Sequence, residues 1–218
     1  GKTTLLNLVS GALKPDSGEI LMDGVIVNDL PPEKRDVGYL FQKFSLFPHM
    51  TVWENVMFGP KMKKMNREKA EKIAREILDM VGLSGRYDAY PHELSGGMMQ
   101  RAALARALAA GAKLLLLDEP YRELDALLRV KLRYEIRDIA KSLGVTVIHV
   151  TNDQEEAMAV ADRIAVLKGG RLIEIGTPQE LYNNPKNLFT ASFVGGCNLF
   201  EGVGENGYFK VGNLKVRV

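Results

Sequence analysis

The chain has 218 residues, 46% apolar and 26% charged, enough to bury a sizeable core and hold one large domain, or a domain plus part of another. Lys+Arg 29 against Asp+Glu 27 gives a formal charge of +2, a balance that argues against a protein driven by nucleic-acid phosphates, so no nucleic-acid partner is expected. No apolar run is long enough to cross a bilayer, no signal peptide is visible, and the single Cys197 excludes an internal disulfide and fits a reducing compartment.

The chain opens on Gly1-Lys2-Thr3-Thr4, the closing part of the pattern G-x-x-x-x-G-K-[ST]. In that pattern backbone amides cradle phosphates, the Lys reaches the β- and γ-phosphates, and the hydroxyl holds Mg2+. Gly-Lys-Thr alone is a weak signal. Its context is an apolar helical run from Thr3 to Val9 that closes on Gly11, a residue suited to a helix C-cap. The first half of the pattern is not in the sequence, which therefore reads as lacking its N-terminus. Residues 18–27 predict a short antiparallel hairpin, and 37–41 a strand ending at Gln42.

From 44 to 94 the texture turns helical. Asn66 is the expected N-cap of a helix whose apolar face is Ile73, Ile77, Leu78, Met80 and Val81, closed by Gly82, and the basic cluster at 61–72 reads as a solvated face. Ser95 caps a further helix carrying Ala102, Ala103, Leu104, Ala107 and Leu108 and ending at Gly111. Residues 114–117 and 146–150 read as buried strands on either side of a helix at 127–142. Residues 162–175 read as two strands joined by the Gly-containing turn at 168–171. Helical segments at 179–182 and 188–194 follow Pro178, and 198–218 alternates glycine with apolar and charged residues, as the first strands of a further β-domain would.

The most informative stretch is Leu94-Ser95-Gly96-Gly97-Met98 followed, after an alanine-rich segment, by Leu114-Leu-Leu-Leu-Asp118-Glu119. Such an apolar run delivers two carboxylates to the C-terminal edge of a buried parallel strand, where open α/β sheets bind ligands. Ser-Gly-Gly at a helix start leaves backbone N–H groups facing outward, ready for an anion. Alone, the leucine run is equally a core strand ending in two solvated acids. The pair of motifs, about twenty residues apart, resembles the ATP-binding cassette (ABC) ATPases, with their LSGGQ signature and following Walker B strand.

The resemblance covers nearly all of the chain. It implies an α/β P-loop NTPase core at 1–43 and 95–185, an inserted α-helical subdomain at 44–94, and at 186–218 a connecting helix and the start of an OB-like regulatory β-domain. It implies ATP and Mg2+ as cofactors. Gly1, Lys2, Thr3 and Thr4 would hold the phosphates, and Thr3, Gln42 and Asp118 the metal. Glu119 would be the general base and Gln42 would reach the attacking water. Ser95, Gly96 and Gly97 would bind the γ-phosphate of the nucleotide on a second, identical subunit, and Asp125 would lie in the loop crossing that dimer interface.

Two departures stand out. Where the family carries a γ-phosphate-contacting His after the next strand, this sequence has Asn152, with His149 three residues early and expected to be a packed or partly exposed strand histidine. Asn can donate an amide hydrogen but cannot relay a proton. Tyr121-Arg122-Glu123 replaces small or apolar residues, and Arg122 is expected at the dimer seam, while Met98-Met99 replacing glutamines is milder. The segment 44–58 reads as a docking groove for a transmembrane permease, formed by exposed apolar residues among Phe44, Leu46, Phe47 and Met50, with Val52, Val56 and Phe58 in the core.

Together these features look like an importer subunit of the molybdate, tungstate, sulfate, iron, sugar or polyamine group, held at the cytoplasmic membrane face, with a lean toward an oxyanion. A binding-only subunit, favoured by Asn152, is one alternative. The other is a soluble ABC ATPase that does not transport, which would be expected to show coiled-coil insertions or tandem cassettes.

Overall fold

The computed structural model describes residues 1–41, 45–212 and 214–217, which fall into two compact units, 1–156 and 157–218. In the first unit a helix, α1 (Lys2–Ser10), ends at Gly11, whose φ of 85° is the left-handed cap that glycine adopts without a Cβ penalty. The hairpin β1 (Leu21–Met22) and β2 (Val25–Ile26) follows, with Leu21, Val25 and Ile26 exposed and Met22 half-buried.

Strands β3 (Val37–Leu40), β4 (Leu114–Asp118) and β5 (Thr146–Val150) form a parallel sheet in the order β3-β4-β5. Leu115, Leu116 and Leu117 at the centre of β4 are essentially without exposure, as expected of a strand covered on both faces. β3 stops at Leu40, and Phe41 is exposed, one residue short of the predicted end.

Helices α2 (Val52–Met62), α3 (Arg67–Met80) and α4 (Gly96–Ala109) pack with β3 and β4 around one core that includes Val52, Val56, Leu78, Leu104 and Leu115. The helical texture predicted from 44 begins only at Val52, where Thr51 and Glu54 form a capping box. Asn66 caps α3 by accepting from the Lys69 amide at 3.1 Å. The buried face of α3 is Ala70, Ala74, Ile77 and Leu78, with Val81 just beyond. Met80, placed on that face by sequence, is instead exposed because it falls outside the 3.6-residue stripe.

Two glycines let α4 approach closely. A Cβ on Gly38 would lie 2.8 Å from Ala107 Cβ, and one on Gly59 would lie 2.5 Å from Ala110 Cβ. After β4 the chain turns into α5 (Ala126–Ser142), and after β5 into α6 (Gln154–Val160), which runs into the second unit.

The second unit contains the antiparallel pair β6 (Ile164–Lys168) and β7 (Arg171–Gly176), helices α7 (Pro178–Asn183) and α8 (Leu188–Gly195), and a three-stranded antiparallel sheet of β8 (Val203–Glu205), β9 (Tyr208–Val211) and β10 (Leu214–Arg217). Thr177 and Glu180 form a capping box on α7, and buried Leu181 anchors that helix. Glu174 accepts from the Lys186 amide at 2.9 Å, and that bond holds its carboxyl below the usual range. Among the described residues no helix is long and apolar enough to cross a membrane.

Candidate functional site

The site gathers where α1 begins beside the C-terminal ends of β4 and β5. The first intrahelical bond of α1 runs from the Leu5 amide to Gly1 O at 3.1 Å, so the amides of Lys2, Thr3 and Thr4 precede the ladder. The N-cap is Gly1, which has no side chain, so the amides of this first turn line an electropositive terminus suited to an anion.

Beneath it, Thr3 Oγ1 donates to Asp118 Oδ1 at 3.2 Å. Asp118, the last residue of β4, is buried, with 9% of its surface exposed. Tyr39 Oη lies 3.5 Å from Asp118 Oδ2 and 3.3 Å from Asn7 Oδ1. Burial, reinforced by the Asp118 carboxylate, pushes the Tyr39 hydroxyl up to about 12. Sequence reading missed Tyr39, although strand register signals it. Tyr39 pairs with Leu116 across the parallel ladder, so alternation puts it on the sheet face of Asp118.

Glu119 leaves the strand with a φ of 45°, a left-handed turn that non-glycine residues seldom adopt and that functional sites retain. Its amide still donates to Val150 O at 2.9 Å, so the residue is fixed to the sheet edge while its side chain swings outward. Asn152 Nδ2 donates to Glu119 Oε1, and Asn152 Oδ1 accepts from the Lys2 ammonium. Arg122 Nη1 donates to Glu119 Oε2 at 3.0 Å. Four residues thus form one polar string, Lys2–Asn152–Glu119–Arg122, next to the Thr3–Asp118 pair. Arg122, expected near a subunit seam, pairs within its own chain with Glu119, the 119–122 turn closing with the Arg122 amide 3.2 Å from Glu119 O.

The loop holding Asn152 is braced from below. Asp153 accepts from the Glu156 amide at 3.0 Å and lies 3.6 Å from Arg133 and 3.9 Å from Arg129, both on α5. His149 is packed, as expected, with Nε2 lying 2.5 Å from Glu156 Oε1 and the Tyr121 ring meeting it edge-on at 5.6 Å. Burial and Glu156 push the Tyr121 hydroxyl upward.

The remaining predicted residues lie elsewhere. Ser95 caps α4 by accepting from the Met98 amide at 3.4 Å, and Asp125 caps α5 by accepting from the Leu128 amide at 2.9 Å. Gly96 opens α4, and Gly97 is buried, a Cβ there coming within 3.0 Å of Leu128. Neither cap joins the polar string. Gln42, with Lys43 and Phe44, lies outside the described residues.

The expected exposed groove at 45–50 is more closely packed than sequence suggested. Leu46 packs on the core, Phe47 rests 4.7 Å from the Phe58 ring, and both Phe58 and Met50 are half-buried. The buried Asn55 amide holds this loop, accepting from the Phe47 amide at 2.8 Å and reaching the carbonyls of Phe47, Met50 and Thr51. Arg106 of α4 donates to Ser45 O at 2.8 Å and stacks 5.1 Å from the Phe47 ring.

A divalent cation fits the donors present. Thr3 and Asp118 offer hard oxygens, and among the described residues no three of His, Cys, Asp and Glu converge into a cage. Magnesium is commonly held in that way, by one or two protein oxygens with water and phosphate completing its shell.

The ABC transporter family profile matches residues 1–122. The chain belongs to the ABC transporter family. Its relatives include the spermidine/putrescine import ATP-binding proteins PotA of Oleidesulfovibrio alaskensis, 48% identical over 202 residues, and of Acidothermus cellulolyticus, 49% identical over 199. These alignments cover 93% and 91% of this chain but 54% and 52% of the relatives, so the chain spans about half the length of the curated relatives it matches. Among solved structures, the dimeric post-hydrolysis ATP-binding cassette MJ0796, bound to ADP and Pi, is 34% identical, with a TM-score of 0.69, over 82% of this chain and 81% of that one. CbiO1 of Clostridium perfringens, part of the ABC transporter complex cbiONQ, is 30% identical, with a TM-score of 0.76, over 84% of this chain and 75% of that one. The ABC ATPase fold expected from sequence is therefore established, while the relatives give no support to an oxyanion.

Proposed function

We propose that this chain is the nucleotide-binding part of an ABC importer, coupling ATP binding and hydrolysis to uptake of a polyamine such as spermidine or putrescine. The observation that carries the ATPase reading is the polar string Lys2–Asn152–Glu119 beside Thr3–Asp118, at the mouth of an amide-lined helix terminus. The polyamine assignment rests on the names of the PotA relatives and replaces the oxyanion lean.

In this reading the α1 amides and the Lys2 ammonium bind the β- and γ-phosphates, which requires Lys2 to exchange Asn152 for phosphate oxygens. Thr3 and Asp118 hold magnesium, whose charge, when bound, stabilises the developing phosphate charge. Glu119 orients the attacking water and takes up its proton, and Gln42 reaches the same water. Asn152 fixes Glu119 Oε1 through its amide. Ser95, Gly96 and Gly97 complete the nucleotide site of a second copy, with Asp125 in the loop at the seam, so two ATP molecules close a homodimer. The 45–58 segment meets the permease, which places the protein at the cytoplasmic face of the membrane. Residues 1–43 and 95–185 act as the catalytic core, 44–94 as the helical subdomain, and 186–218 as the start of a regulatory β-domain.

A subunit that binds ATP but turns it over poorly is the second reading, and Asn152 is the observation that favours it, because an amide cannot carry a proton. ATP turnover of the full-length protein decides between them, with Glu119→Gln as the blank. The importer reading expects wild type well above the blank and Asn152→His within about tenfold of it, one general acid–base contribution being worth at least a hundredfold. Turnover only in Asn152→His would overturn that reading in favour of the second. Uptake of spermidine but not molybdate by the reconstituted transporter tests the solute.

A further inference from the structure

Arg122 lies three residues after Glu119, and the structure gives it a partner in its own chain. Nη1 lies 3.0 Å from Glu119 Oε2, with 62% of the Arg122 side chain exposed against 19% for Glu119. The other carboxylate oxygen, Oε1, accepts from Asn152 Nδ2. Both oxygens of the proposed base are therefore engaged, one from each side. The backbone around Arg122 is held by the buried Tyr121 ring, 2% exposed, and by the 119–122 turn. Only its long side chain has freedom to leave.

A carboxylate that orients an attacking water must turn an oxygen toward the γ-phosphate, and it cannot do so while Arg122 Nη1 holds that oxygen aside. We infer that Arg122 is a positioning residue that restrains Glu119, and that the Arg122–Glu119 pair must break before hydrolysis. This rests on the reading of Glu119 as the base. Asn152 is neutral, so Arg122 is the cation seated directly on this carboxylate in the structure. An ion pair with its arginine this open to water is weak enough to break after ATP is bound and before hydrolysis, so its cost falls on kcat and not on KM, and it acts as a latch.

The test measures ATP turnover of the full-length protein against ATP concentration, in about 0.05 M and about 0.5 M KCl, for wild type, Arg122→Ser and Arg122→Lys. Arg122→Ser is expected to raise kcat about two- to five-fold at low salt, the range an exposed pair spans, with KM for ATP unchanged. The gap closes at high salt, where the pair is screened, and Arg122→Lys, which keeps the charge, stays near wild type. A kcat in Arg122→Ser equal to or below wild type at low salt overturns the inference, as does a change carried by KM. Glu119→Gln, alone and combined with Arg122→Ser, separates the two levels of the argument. Both should sit at the background rate of ATP hydrolysis without enzyme; turnover in Glu119→Gln above that background overturns the base assignment itself, whereas an inactive Glu119→Gln with an unresponsive Arg122→Ser overturns only the latch.

Discussion

Truncating Asn55 to alanine should cost this chain about 3–4 kcal/mol, because one fully buried amide supports the whole 47–51 loop. Its Oδ1 accepts from the Phe47 amide at 2.8 Å, while Nδ2 faces the carbonyls of Phe47 at 3.2 Å, Met50 at 3.1 Å and Thr51 at 2.9 Å. An amide nitrogen carries two hydrogens, so about three good bonds are lost, each worth roughly 1 kcal/mol net, with an added cost for leaving Phe47 N–H facing protein. Asn55→Asp should be at least as damaging, since it keeps the acceptor, loses both donors and sets a charge against carbonyl oxygens. Urea unfolding measures the loss as a shift in midpoint at constant m, and hydrogen exchange at Phe47 reports whether the loop opens first. A cost below about 1 kcal/mol in Asn55→Ala, or an Asn55→Asp more stable than Asn55→Ala, would refute the reasoning.

Gly59→Val should destabilise by about 1–3 kcal/mol in thermal denaturation, because even its Cβ would lie 2.5 Å from Ala110 Cβ and 3.2 Å from Ala110 Cα. Gly82→Ala, with nothing within 4 Å but a φ of 68°, should lose only about 1 kcal/mol, so the pair separates crowding from backbone strain. Thr51→Ala removes the hydroxyl half of the α2 capping box, an acceptor 3.2 Å from the Glu54 amide, and should cost about 0.5–2 kcal/mol by urea unfolding. The folded-state value of about 12 for Tyr39 exceeds the ordinary 10, so its contribution is intact below pH 10 and is lost as pH rises from 10 toward 12. The raised Tyr121 hydroxyl acts in the same direction. Ultraviolet titration should show Tyr39→Phe lacking a tyrosinate step near pH 12, and Tyr39 ionising near pH 10 would contradict this.

The elements that sequence located well are those set by local chemistry. Ser95 and Asn66 cap their helices because their side chains reach the amides three residues on, and Gly11, Gly82 and Gly111 take the positive φ that ends a helix. The leucine run of β4 was legible because a strand covered on both faces has no polar alternation. What remained hidden depends on side chains meeting across the fold. Tyr39 reaches Asp118 only through strand register, Arg122 finds Glu119 only after the chain turns at a positive φ, and Asn55 reads as an ordinary polar helix residue until its loop folds over it. Met80 was misplaced because an apolar residue at a helix end continues the composition of the stripe without continuing its angle.

The seating of α4 against Gly38 and Gly59 has a mechanical consequence. Where large side chains fill an interface, rotamer changes can absorb a push. Here the methyls of Ala107 and Ala110 meet backbone directly, leaving little soft material between the helix and its neighbours. A shove on α2 is therefore handed to the helix that begins at Ser95 almost undiminished, and the stiffness of that contact sets how faithfully a movement at one end is felt at the other.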